Sequence, residues 1–325
     1  MIKNIIQFVS LFSIVLALSV SGNERIWLSN SPPPKVIDNV KKTGMRRLPV
    51  VYGKRRQMNI IQWIRSGELP ENSKYAEPND LFNAQLFVFD PDGESVTGKM
   101  EEDELGFIIS FLAEKDGFYS IYLVEKFVRN DTLNVRVAKA ERMNHSCRTG
   151  HDKALIRVQP KTYPQQIPIE IVRERFLGEN LHTVMQPGDE VTFKTLINGV
   201  ELKSGSVQMV THKGWKNSKT TDNKGEVSFQ FIQDDNTKLK ELRSRITFNY
   251  LIHFTHTVVE SGIVNDEHYS FITYSSTFSD TYRPSQMLYS SFVWALFVLL
   301  GSVILLTIGI YYYRRRRRVE YREVI

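Results

Sequence analysis

The chain is almost without cysteine: Cys147 is the one cysteine among 325 residues. A lone cysteine forms no internal disulfide, so the fold depends on buried apolar surface rather than covalent staples. No cysteine stands directly after the N-terminal apolar segment, which excludes a lipid anchor attached through one there. Histidine is also scarce, with seven residues and none before His145. The sequence contains no P-loop, no GxSxG elbow, no HExxH and no CxxC, so it offers no ready catalytic grouping. The expectation is a chain that is not an enzyme.

The body also lacks a net charge excess. The net charge is +6, but six arginines against two glutamates in the last twelve residues, with Lys3 near the start, carry most of it. About +1 remains for everything between. A nearly neutral body gives no electrostatic footprint for nucleic acid, and none is expected as a partner.

Two long apolar runs are present. Residues 1–22 combine Lys3, an apolar stretch from Ile5 to Leu18, and the small residues Ser19, Ser21 and Gly22, the pattern of a cleaved signal peptide. Phe292 to Tyr313 is free of charge and long enough as a helix to cross the ~30 Å hydrocarbon core. Tyr289 and Trp294 flank one edge, and Tyr311, Tyr312 and Tyr313 the other. Arg314 to Arg318 follow at once, and the positive-inside rule assigns them to the cytoplasm. The sequence therefore predicts a transmembrane helix over 289–313 and a basic cytoplasmic tail over 314–325. The expected location is a bacterial inner membrane, single-pass, with the bulk of the chain periplasmic.

Between these runs, strand patterns dominate. Leu86–Asp90 ends in Pro91-Asp92-Gly93, and Gly106–Leu112 leads through Lys115-Asp116-Gly117 into Phe118–Val124. Thr132–Ala138 alternates apolar and polar residues, Asn59–Ile64 and Leu48–Tyr52 are short strand candidates, and Ala154–Val158 is another. Three prolines in Pro160–Pro168 suggest a stiff, extended linker and a domain boundary. The pattern then restarts with Ile169–Val172, Val191–Leu196, the hairpin signal Asn198-Gly199, Gly205–Val210 and Glu226–Phe231. Ile246–Val259 and Tyr269–Phe278 form a last long hairpin. The fold class is all-β: two tandem Ig-like β-sandwich domains over 23–160 and 169–280, joined by a linker over 161–168, plus one C-terminal transmembrane helix.

His145, Cys147 and His151 form an H-x-C-x3-H cluster with Asp152 adjacent. In a loop, such donors can converge on nickel, copper or zinc; the alternative is a solvated loop holding a half-buried cysteine. His253 and His256 are three apart in a strand pattern, so they point to opposite faces and share no site. His182, His212 and His268 have polar or turn-like neighbours, and exposure is expected. Asn130-Asp131-Thr132 and Asn144-His145-Ser146 match the glycosylation sequon, which matters only in a eukaryotic host.

The second half has a cadence: Pro168-Ile169-Glu170-Ile171-Val172, then Pro187-Gly188-Asp189-Glu190-Val191, then Asn198-Gly199-Val200-Glu201-Leu202, then Thr221-Asp222-Asn223-Lys224-Gly225. Over about residues 167–280 it resembles periplasmic nickel- or cobalt-uptake components of the NikK or NikM type. Ile26-Trp27-Leu28 is similar to that family's opening. The resemblance implies two β-sandwiches, a transported divalent metal such as nickel or cobalt, and a membrane transporter complex as partner. The family's metal-binding members begin with a histidine after cleavage. Here Asn23-Glu24-Arg25 stands there, and no ligand is carried over. The alternative is an envelope or cell-surface module that binds another protein and no metal.

Overall fold

The structure is a computed structural model that describes residues 25–30, 58–103, 106–145, 160–180, 182–234, 247–283 and 292–317. The expected signal peptide, the candidate strands Leu48–Tyr52 and Ala154–Val158, and most of the tail lie outside these residues.

The body is all-β, and among the described residues its strands form three sheets. The first joins β1 (Ile26–Ser29), β2 (Met58–Ser66), β3 (Lys74–Tyr75), β5 (Gly98–Asp103) and β6 (Gly106–Ala113). The second contains seven strands: β4 (Gln85–Phe89), β7 (Gly117–Arg129), β8 (Thr132–Asn144), β12 (Ser206–Val210), β13 (Lys216–Thr220), β15 (Phe248–Val264) and β16 (Glu267–Tyr282). The third joins β9 (Ile169–Arg173), β10 (Glu190–Ile197), β11 (Val200–Glu201) and β14 (Glu226–Gln230).

The seven-stranded sheet is the middle layer, and its alternation feeds two cores. On β7, Tyr119, Ile121 and Leu123 join the core under the first sheet, while Tyr122 and Val124 join the core under the third. On β8, Val135 and Val137 face the third sheet, and Ala138 and Ala140 the first. A strand covered on both faces needs apolar residues at odd and even positions alike; hence the near-continuous run Phe118–Val124. The two sandwich packings therefore share a sheet. β16 pairs in parallel with β8, from Phe271↔Thr132 to Ser279↔Ala140, so strand pairing crosses the proline-rich segment.

That segment turns rather than running extended. The Ile167 N–H donates to the Tyr163 carbonyl at 2.8 Å. The Tyr163 ring stacks on Phe89 with centroids 3.6 Å apart. Aromatic stacking on the body is available to this segment in a way that a bare proline-rich spacer lacks.

β1 closes one flank of the middle layer. The Thr277 hydroxyl donates to the Ile26 carbonyl at 2.8 Å, and the Ser279 hydroxyl donates to the Leu28 carbonyl. These hydroxyls satisfy carbonyls on the side of β1 that has no strand partner among the described residues. The fully buried Trp27 packs with Val210 and Leu251, and the Arg65 guanidinium lies over its ring at 4.4 Å.

Beyond Arg283, α1 (Phe292–Arg316) is long and apolar enough to cross a membrane. It continues three residues past the expected end at Tyr313, through Arg314, Arg315 and Arg316, because arginine is a good helix former and its charge complements the helix C-terminus.

Candidate functional site

Where β8 and β16 of the middle sheet meet β9 of the third, the interface is ionic. Lys139 on β8 is fully buried; its Nζ donates to Glu170 Oε1 at 2.8 Å and lies 3.5 Å from Glu141 Oε1. The Tyr122 hydroxyl donates to the same Glu170 carboxylate. Arg175 pairs with Glu141, and its Nη1 also reaches Glu179 Oε1 at 3.1 Å. Arg173 Nη1 meets that oxygen at 2.8 Å. Arg142 lies 3.6 Å from Asp280. Burial alone would push the Glu141 carboxyl up, but Arg175, Lys139 and Arg173 hold it below its ordinary value. Burial raises Asp280 despite Arg142 and Arg173. Burial, reinforced by Glu170, raises Tyr122 well above the usual phenol.

The seam opens into a cavity of about 250 Å³ whose lining includes Arg142, Arg173 and Arg175 together with Glu141, Glu179 and Asp280. Among the described residues, the buried Arg173 Nε and Tyr250 hydroxyl make no hydrogen bond. Guanidinium groups in such a recess hold carboxylate-like anions with good geometry, while the interleaved carboxylates balance their charge.

The His145 ring meets His182 edge-on, with centroids 4.9 Å apart. His145 is thus the described member of the cysteine-histidine cluster; Cys147 and His151 lie outside the described residues. His182 follows Asn180, whose Oδ1 accepts the His182 N–H at 2.8 Å. Sequence spacing gave no sign of the meeting, since His182 and His145 are brought together by separate elements. Among the described residues, no group of three or more histidines, cysteines or carboxylates converges as a metal site would. His253 and His256 do lie on opposite faces of β15, opposite Thr277 and Tyr274. Of the sequon asparagines, Asn130 is exposed at a hairpin turn, while Asn144 is buried and donates to the carbonyls of Ala113 and Lys115 at 3.2 and 3.1 Å.

A second cavity lies at the other end of the long strands. It measures about 520 Å³ and is lined by Asn79, Phe82, Phe127, Arg129, Val264 and Asn265, among others. The hairpin turns Asn130-Asp131 and Asn265-Asp266 stand at this end, with φ between 49° and 66°. Positive φ at both central residues is what a two-residue hairpin needs. Phe82 stacks on Phe127 at 4.4 Å, and Arg136 lies over Phe127 while pairing with Glu125 at 2.9 Å. Exposed Val259, Ile263 and Phe271 lie on the nearby hairpin.

No family model matches the chain, and no curated protein does. Among solved structures, one titled "Structural insight into host cell surface retention of a 1.5-MDa bacterial ice-binding adhesin" aligns at 9% identity and a TM-score of 0.21. The alignment covers 70% of this chain and 58% of that one. So loose a superposition carries no argument about function.

Proposed function

We propose that the chain is a single-pass membrane protein whose β body is a non-enzymatic binding module, held outside the cytoplasm with its hairpin tips directed away from the bilayer. The supporting observation is the run from β16 to α1. β16 ends at Tyr282 and α1 begins at Phe292, so the intervening chain reaches at most about 35 Å. From Tyr282 back to the Asn265-Asp266 turn, β16 is 16 residues long, roughly 50 Å of strand. One end of the body is therefore tethered near the membrane, and the end with the larger cavity and exposed apolar residues stands away from it. Tethering raises the module's effective concentration at the membrane.

Topology is tested by cysteine labelling in a Cys147→Ser background. In bacterial spheroplasts, a membrane-impermeant maleimide should label Ser218→Cys on exposed β13 and reach Glu323→Cys only after lysis. The reverse pattern would overturn the proposal.

A second reading, delivery of nickel or cobalt to a transport complex, is favoured by the contact between His145 and His182, which adds an imidazole beside the cysteine-histidine segment. Calorimetric titration of the full chain in detergent with Ni²⁺, Co²⁺, Zn²⁺ and Cu²⁺ tests it. Binding weakened at least tenfold by His182→Ala supports this reading; heats equal to dilution remove it.

A further inference from the structure

We infer that the turn at Phe176–Glu179 is a second membrane contact, its apolar tip entering the outer face of the bilayer that holds α1; this rests on the single-pass reading above. Leu177 is 98% exposed and its neighbour Phe176 45%. Single exposed apolar residues are ordinary, but these two are adjacent and displayed on a built support. The Phe176 carbonyl accepts the Glu179 N–H at 3.1 Å. Gly178 takes φ +90°, the left-handed value that the third position of a type II turn requires. Glu179 is buried beneath the tip: its Oε2 accepts the Phe176 N–H at 3.4 Å, and its Oε1 takes Arg173 and Arg175. The base of the turn is fixed by ions from inside, and its crown is left bare.

The position of the turn identifies what covers it. The chain that follows it passes through Met185, whose carbonyl accepts the Arg283 N–H at 2.9 Å, next to the bridge between Met185 and Tyr282. Arg175, Glu179, Asp280 and Thr281 line one cavity. The turn therefore lies at the exit of β16, the end of the body tethered to α1. Two side chains are far too few for a protein interface, which needs on the order of 1,200 Å². They suffice for a shallow interfacial anchor beside a helix that already holds the chain at the surface.

The test uses the full chain in a Cys147→Ser background, with a single NBD fluorophore at Leu177→Cys, Leu299→Cys or Ser218→Cys. Each protein is reconstituted into phosphatidylcholine–phosphatidylglycerol vesicles with and without doxyl-labelled lipid. The expected result is blue-shifted emission and clear loss of intensity to doxyl lipid at 177 and 299, and neither at 218. Quenching at 299 with aqueous behaviour at 177 would overturn the inference and leave the anchor standing. Aqueous behaviour at 299 would remove both.

Discussion

Lys139 Nζ and Glu170 Oε1 lie 2.8 Å apart with both side chains shut off from solvent, one in the middle sheet and one in the third. Each charge is tolerated because an opposite charge lies beside it; removing Lys139 leaves Glu170 without a cation and with only the Tyr122 hydroxyl, in a medium that solvates a carboxylate poorly. Lys139→Met should therefore cost about 3–5 kcal/mol, far more than a surface lysine. The double variant Lys139→Met/Glu170→Leu should recover most of that loss, since a buried pair contributes little net stability over an apolar replacement. Urea denaturation midpoints of the two variants check this. A single variant as stable as the parent would contradict it.

His253 should give the fold a pH dependence of definite sign. Burial, helped by the Arg25 guanidinium, pulls its imidazole from 6.5 down to about 3. Between those values the unfolded chain binds the proton and the folded chain does not, so stability falls as pH drops through that window and levels off above it. The slope from this residue is at most ~1.4 kcal/mol per pH unit. Thermal unfolding compared at about pH 7.5 and about pH 5 should show a smaller drop for His253→Gln than for the parent. Equal drops would show that His253 is not the titrating group.

The Thr277 hydroxyl that donates to the Ile26 carbonyl at 2.8 Å ties β1 to the middle sheet. Thr277→Val keeps the shape and leaves a buried acceptor unpaired, a loss of about 1–3 kcal/mol. Hydrogen exchange should show the amides of β1 opening faster while those of β10 keep their protection. Uniform acceleration across both strands would mean that β1 is not a local unit.

What the sequence made legible follows its alternation. Asn59–Ile64 falls within β2, Asn198-Gly199 turns β10 into β11, and the final hairpin and apolar helix stand where the patterns put them. β5 and β13 were not legible: Gly98–Asp103 and Lys216–Thr220 are polar edge strands, with no apolar period to betray them. The seam was not readable. Lys139 and Glu141 lie on a strand that already mixes polar with apolar residues, so nothing local marks them, and pairing across 31 residues between Lys139 and Glu170 is a tertiary fact. The contact of His182 with His145 is of the same kind. His182 carries no local pattern and reads as a surface histidine, and His145 reads only as part of the cysteine-histidine cluster, until the loops are placed.

The parallel pairing of β8 with β16 sets an order of events. β8 is made early, yet its open flank waits for Phe271–Ser279, which leave the ribosome just before the apolar helix. Contacts this distant in sequence close slowly. Completion of the body is thereby postponed to the moment when the apolar helix itself is about to emerge, and until then an unsatisfied β8 border stays available to whatever chaperone or stray strand meets it first.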